Sequence, residues 1–471
     1  MVVVPEMRCD AEPAPRILLL VPWLAMGGAD KFNLDLLTQL TQRGWQVCVA
    51  TSLASDHPWF SRFAQFTPDI FLLDKTHHIA EYPQFLQELI QTQAIDLVLI
   101  SNSELGYLLL PYLRAQCPDT TFIDYCHMEE HAWKRGGYPR MSIEQQELLD
   151  LHLVSSHYLR DWMLEHGANP ERLRVCHTNI DPDEWQADPK QRVRVRQELR
   201  QALRQEFGQK FAQYQYNEDE TLPVVLYAGR ICDQKQPQVF VETMQQLRRK
   251  TSDFLAVVAG DGPEFGWLQA RISHSGLQDN VYVLGAVSNG RVRELMTAAD
   301  IFFLPSQWEG IALSIFEAMA CGVAVVGADV GGQRELVTPE CGILIGRGKA
   351  GGPSAEAARY AEILAELLND PHRRMALGQA GAARIRRHFR LDQMGERMIG
   401  LFQEARDLHT NHPRPIPDVE WGQARAARIM TYLRVQSAAR RLVSPTTRAF
   451  LDKKMKWLLP VKETLERVLL R

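Results

Sequence analysis

Residues 305–337 read PSQWEGIALSIFEAMACGVAVVGADVGGQRELV. The apolar run Ile301–Leu304 precedes them and reads as a strand that Pro305 ends. Ser306–Gly310 then has the composition of a loop, an apolar helical stripe begins near Leu313, and Gly322 stops it. A second apolar run, Val323–Gly327, follows at once. Strand, helix and strand in so short a span require a parallel pair with the helix laid over the sheet. Two carboxylates, Glu309 and Glu317, lie in the almost uncharged part of this segment. Buried carboxylates are costly unless something satisfies them. Glu309 falls in the loop before the helix, and Glu317 about one turn inside it.

The alternation extends in both directions. In the second half strands are expected at Val224–Tyr227, Leu255–Ala259, Val281–Leu284, Ile301–Leu304, Val323–Gly327 and Gly342–Ile345, with helices between them and three more from Ser354 to about Asp407. In the first half they are expected at Ile17–Trp23, Gln46–Thr51, Ile70–Leu73, Asp96–Ser101, Thr121–Cys126, His152–Ser155 and Arg174–His177. Amphipathic segments such as Asp30–Gln42, Glu81–Gln93 and His157–His166 separate them. The polar stretch Gln186–Leu222, with a helix at Val193–Phe207, interrupts the rhythm. The expected organisation is a disordered N-terminus (1–15), an α/β domain (16–185), a connecting segment (186–222), a second α/β domain (223–390), a helix crossing back to the first domain (391–410) and a basic helical tail (411–471). Ligands of open parallel sheets bind at the carboxyl ends of the strands. Two such units imply a site in a cleft between them.

A chain of 471 residues exceeds one ordinary core. With 45% hydrophobic and 23% charged residues the composition is that of a soluble globular protein. No apolar run approaches the length of a membrane span, and the first residues lack the charged start and long apolar stretch of a secretory signal. The eight cysteines are scattered without a CxxC pair, which suggests reduced thiols in a cytoplasm and no zinc site. The net charge of −4 hides an asymmetry: from Trp421 onward 12 Lys/Arg face 3 Asp/Glu, leaving 41 against 54 in the preceding residues. A basic tail on an acidic body points to an anionic partner.

Four further loops carry residues fit for chemistry. In VPWLAMGGADKF, Gly27 and Gly28 lie between a strand and a helix, where paired glycines let backbone N–H groups approach a phosphate or simply make a tight turn. In YAGRICDQKQP, Arg230 and Lys235 follow a strand end; two cations there suit a pyrophosphate or a solvated loop. In VVAGDGPEFG, Gly260, Gly262 and Pro263 form a turn that shapes the wall of the site. In FIDYCHMEEH, His127 follows a strand directly, as a site residue or a structural one. In the opening segment itself, the N–H groups of Gly310, Ile311, Ala312 and Leu313 present the positive end of a helix dipole, where a diphosphate docks. Glu317 is placed to accept from ribose hydroxyls and Glu309 from hydroxyls beyond the phosphates; a helix cap with a surface glutamate is the plainer reading.

Together these segments resemble the retaining "group 1" (family 4) glycosyltransferases over roughly residues 16–405. Five elements appear in order: GGAD, AGRICDQK, GDGP, VLGAV and Glu309-x7-Glu317. The resemblance implies the GT-B fold, two Rossmann-like doubly wound domains facing across a cleft, here with a basic helical C-terminal extension. It implies that Arg230 and Lys235 bind the donor diphosphate, that Glu317 holds the ribose, and that Glu309 contacts the donor sugar. Backbone groups from Gly310 to Leu313 would cradle the phosphates, Gly27 and Gly28 would approach them, His127 would line the sugar pocket, and Gly285–Val287 would lie near the base. The implied reaction moves a sugar from a UDP- or GDP-sugar to an acceptor hydroxyl of a glycan or lipid-linked acceptor in cell-surface polysaccharide, lipopolysaccharide or glycolipid synthesis, with no metal and no further cofactor. A non-catalytic nucleotide-sugar-binding protein is the alternative. One departure is Asn179-Ile180-Asp181, where many relatives have Asn-Gly-Ile/Val-Asp. Residues 421–471 suggest contact with an anionic membrane surface, hence a cytoplasmic protein peripheral to the membrane. The alternative is a basic helix packed on the body. No motif accompanies the charge to suggest nucleic acid.

Overall fold

The structure, a computed structural model, describes residues 14–130, 133–207, 222–347 and 352–442. The expectations for residues 1–13, for 208–221 and for the basic tail beyond 442 lie outside the described residues. The chain divides into two compact units. Unit 1 comprises Met1–Leu153, Met163–Arg174 and Met398–Arg471, and unit 2 comprises Val154–Trp162 and Val175–Arg397.

The first sheet is built from β1 (Arg16–Val21), β2 (Gln46–Thr51), β3 (Ile70–Leu72), β4 (Leu97–Ser101), β5 (Thr121–Cys126), β6 (Leu151–Val154) and β7 (Leu173–Val175). Its order is β3-β2-β1-β4-β5-β6-β7. The pairs of β1 with β2 and β4, of β2 with β3 and of β4 with β5 are parallel. The second sheet contains β8 (Val224–Ala228), β9 (Leu255–Ala259), β10 (Val281–Gly285), β11 (Ile301–Leu304), β12 (Ala324–Asp329) and β13 (Gly342–Gly346), in the order β10-β9-β8-β11-β12-β13 and parallel throughout. In both sheets the strand order reverses beside the first strand. The loops after β1 and β4, and those after β8 and β11, therefore diverge at a switch point, where an open parallel sheet holds its ligands.

Sheets covered on both faces need apolar residues on both sides of each strand. Alternate residues of β8 and β11 accordingly feed opposite cores. Leu226, Phe302 and Leu304 pack on one face with Ile315, Phe316 and Met319. Tyr227, Ile301 and Phe303 pack on the other with Phe240, Met244 and Tyr360.

One segment read as a connection in the sequence, and one read as a basic tail, have helices packed into the folded units. The helix Pro189–Phe207 buries Val195 and Leu199 in the core of unit 2, and its Arg192 and Arg196 both donate to Asp300. The helix Val419–Leu442 lies against unit 1, where Ala426, Ile429 and Met430 join the core of Leu18, Ile100 and Leu109. Arg425, counted in the sequence among membrane-facing cations, is instead buried and donates to the Leu108 carbonyl at 2.5 Å. Over these residues the helix follows the alternative reading, a basic helix packed on the body. Among the described residues no helix is long and apolar enough to cross a membrane.

Candidate functional site

In unit 2 the loops after β8, β11 and β12 converge on Glu309. The β8 loop starts at Gly229, and the β9 loop sits directly on it. A Cβ at Gly260 would lie 1.9 Å from the Gly229 carbonyl oxygen, and one at Gly262 would lie 2.3 Å from that of Ile231. Gly260 also has φ +146°, so only glycine is at ease there. The Ile231 N–H donates to the Asp261 carbonyl at 2.9 Å. The GDGP turn thus sets the path of the chain that carries Arg230 and Lys235.

From that loop Gln234 bridges to the next. Its carbonyl accepts the Gln307 N–H at 2.7 Å, and its side-chain amide donates to the Trp308 carbonyl at 3.0 Å. Lys235 Nζ meets Glu309 Oε1 at 2.5 Å. Both are shielded, with side-chain exposures of 16% and 6%. The costly carboxylate of the sequence reading is therefore held by a lysine 74 residues away in the chain. Arg230 is exposed and, among the described residues, has no ion-pair partner.

The third side is the β12 loop. Gly331 has φ +56°, and a Cβ there would stand 1.7 Å from the Glu309 carbonyl oxygen. The Gly332 N–H donates to the Gly310 carbonyl at 2.7 Å. The helix Leu313–Ala320 begins where the sequence placed it. Ala312 is its N-cap, and no side chain caps it. Its first N–H groups have no acceptor within the helix, and they open beside Gly310 and Ile311. Glu317 is the fifth residue of that helix and is half-buried. Val287 follows β10, at the sheet edge, and packs partly on the core.

The remaining sequence candidates belong to unit 1. Gly27 precedes the helix Gly28–Gln42, and a Cβ there would sit 2.9 Å from Asp30 Oδ2. Gly28 has open space around it. His127 directly follows β5. Its ring meets Phe32 edge-on at 5.0 Å between centroids, and its Nε2 lies 3.5 Å from Ser101 Oγ at the end of β4. Burial lowers its pKa to about 3, so it is neutral at ordinary pH. It serves as a hydrogen-bonding ring and not as a cation.

Several residues were missed by sequence reasoning. Gln234, Gly331 and Gly332 position Glu309 through contacts across the chain. Ser306 Oγ and the Gln333 amide are buried without a partner among the described residues. His157, His177 and Glu335 form a group of metal-ligating type. The Glu335 carboxylate already accepts from the N–H groups of His157 and Tyr158 and meets His177 Nε2, each at 2.8 Å. It caps the helix His157–Glu165. At the Asn179-Ile180-Asp181 departure none of the three residues has a positive φ, so the path taken here does not require glycine, and the Asn179 amide donates to the Arg390 carbonyl at 2.8 Å.

Comparison with known proteins gives a consistent picture. Residues 209–384 match the family model "Glycosyl transferases group 1", and residues 26–184 match "Glycosyltransferase Family 4". A GDP-mannose-dependent monoacylated alpha-(1-6)-phosphatidylinositol monomannoside mannosyltransferase of Corynebacterium glutamicum is 29% identical over 191 residues, covering 39% of this chain and 48% of the relative. The lipopolysaccharide core biosynthesis mannosyltransferase LpsB of Rhizobium meliloti is 31% identical over 183 residues, covering 37% and 50%. The matches thus span about half the length of these curated relatives. Among solved structures, Anabaena HepE in complex with UDP has a TM-score of 0.65 at 19% identity, covering 83% of this chain and 100% of that one.

Proposed function

The chain belongs to the group 1 glycosyltransferases, and from that premise we propose that it moves a sugar from a nucleoside-diphosphate sugar to an acceptor hydroxyl with retention at the anomeric carbon. The observation that carries the proposal is that Lys235 and an uncapped helix N-terminus meet at Glu309 at the switch point of the second sheet, with Arg230 exposed on the same β8 loop as Lys235. Departure of the nucleotide leaves negative charge on the diphosphate and positive character on the sugar. Fixed cations and backbone N–H groups stabilise the first. Glu309, set beside them, accepts hydroxyls of the donor sugar close to the second. Glu317, one turn into the helix, accepts the ribose hydroxyls. These charges take the place of a divalent ion, so turnover continues in EDTA.

The activities of the relatives favour a glycolipid, lipopolysaccharide or polysaccharide acceptor and a UDP- or GDP-linked donor. Thermal shift with UDP, GDP and ADP identifies the nucleotide. Nucleotide release with and without acceptor then separates an enzyme from a binding protein on the same fold. Binding without turnover on any donor and acceptor pair selects the non-catalytic reading.

A further inference from the structure

Isolated apolar residues on a surface are ordinary. The end of β1 is different. Trp23 and Met26 are 39% and 66% exposed, and Leu53, at the end of β2, is 38% exposed. The two loops adjoin, since the Leu53 N–H donates to the Pro22 carbonyl at 2.8 Å. The loop that carries Trp23 is pinned from several sides. The Leu24 N–H donates to His57 Nδ1 at 3.3 Å, and His57 Nε2 faces Asp74 Oδ1 at 3.0 Å. The Leu24 carbonyl accepts the Trp59 N–H at 3.1 Å. The carboxylate of buried Asp30 accepts the Trp23 indole N–H and the Ala25 backbone N–H. Five residues beyond Trp23 the helix Gly28–Gln42 begins. An exposed aromatic face is thus fixed by a buried carboxylate at the carboxyl edge of β1, beside the Gly27–Gly28 turn.

We propose that Trp23 is the stacking platform for the ring of the acceptor sugar or cyclitol. Such a ring carries C–H groups on one face and hydroxyls round its edge. It therefore matches a flat aromatic surface with polar groups at its border. Met26 and Leu53 extend the apolar surface beside the ring. Asp30 is a positioning residue: it holds the indole and touches no substrate. The proposal rests on the transferase reading above and names the acceptor contact that reading leaves open.

The test uses the full chain labelled with 5-fluorotryptophan. Trp23→Phe identifies the Trp23 fluorine resonance among the ten tryptophans. Methyl glucoside, methyl galactoside, methyl mannoside and myo-inositol are then titrated to tens of millimolar. At least one is expected to move the Trp23 resonance. If none does, the proposal is overturned. A kinetic arm uses whichever probe accepts sugar: Trp23→Ala raises its KM at least about tenfold, with a smaller change in kcat, and Trp23→Phe restores most of the loss. A Trp23→Ala effect confined to kcat, or equal loss in both variants, would also overturn it. The thermal shift by UDP or GDP, run in parallel, reports the transferase reading on its own, because it involves no acceptor. If Trp23→Ala folds poorly, the fluorine titration of the wild-type chain decides alone.

Discussion

Glu309 and Lys235 show how much of the site rests on single atoms. Each is shielded, and each answers the other's charge. Removing one partner of such a pair leaves an uncompensated charge, which is the expensive case. Lys235→Ala is therefore expected to cost about 3 kcal/mol of stability as well as activity. Adding Glu309→Gln recovers most of the stability and none of the activity, read from urea unfolding of the two variants and the wild type. Full stability in Lys235→Ala would show that the pair does not hold the loops.

Asp30 tells a complementary story. Burial outweighs its hydrogen bonds and raises its pKa from 3.8 to about 6. A folded pKa above the unfolded one favours the protonated protein, so stability falls as pH rises from about 4 to 6. The difference corresponds to about 3 kcal/mol at neutral pH. Asp30→Asn is thus more stable than wild type at pH 7.5, and the gain shrinks toward pH 4. A fold that keeps such a charge at neutral pH does so for a reason outside its own stability. Holding the Trp23 ring is that reason.

Among the elements, the strands were legible because sheets covered on both faces demand near-continuous apolar runs. β2, β5, β9 and β11 fall on the residues expected for them, and the others differ by one or two positions at their ends. The loop and helix around Glu309 were legible from proline, glycine and the apolar stripe. Lys235–Glu309, Glu335 capping the helix at His157, and His57 steadying Leu24 were not. Their partners lie 74, 178 and 33 residues apart and have no local signature. For the helix Val419–Leu442 the sequence left two readings open for a related reason. Its arginines suggest an anionic surface, and nothing in the chain announces that Arg425 is spent on a carbonyl of a helix some 317 residues earlier.

Two substitutions test the elements directly. Gly260→Ala drives a methyl group into the Gly229 carbonyl. It is expected to displace Arg230 and lower turnover at least about tenfold, roughly 1.4 kcal/mol in the barrier. Gly266→Ala, in open space on the next helix, is expected to leave turnover unchanged and raise stability by about 0.5–1 kcal/mol. Ile429→Ala empties a fully buried position in unit 1 and is expected to cost about 2–4 kcal/mol by denaturant titration of the full chain. No loss there would mean that the helix is not docked.

For the whole molecule, each unit carries a shielded carboxylate held ionised by its partners, Asp150 fully buried and Glu335 half-buried. Burial would raise Asp150, but His409, the Arg114 guanidinium and the Phe122 N–H outweigh it and hold its pKa low. Burial would likewise raise Glu335, and His177 with the N–H groups of His157 and Tyr158 lowers it. Groups of this kind stabilise the fold above their unfolded pKa, and the contribution is lost as pH falls through the folded value. Acid unfolding is therefore expected to begin below about pH 4. Glu335→Gln is expected to flatten that acid limb while lowering stability at pH 7. An unchanged acid limb would assign the loss to other groups.

On the proposed function, the residues around Glu309 stabilise a departing nucleoside diphosphate. The most direct measurement is nucleotide release from a panel of UDP-, GDP- and ADP-sugars in EDTA, for the wild type and Glu317→Ala. Release by the wild type on one donor is expected, with near-complete loss in Glu317→Ala and its melting temperature retained. Equal release by the two proteins, or a wild type that needs a divalent ion, would contradict it.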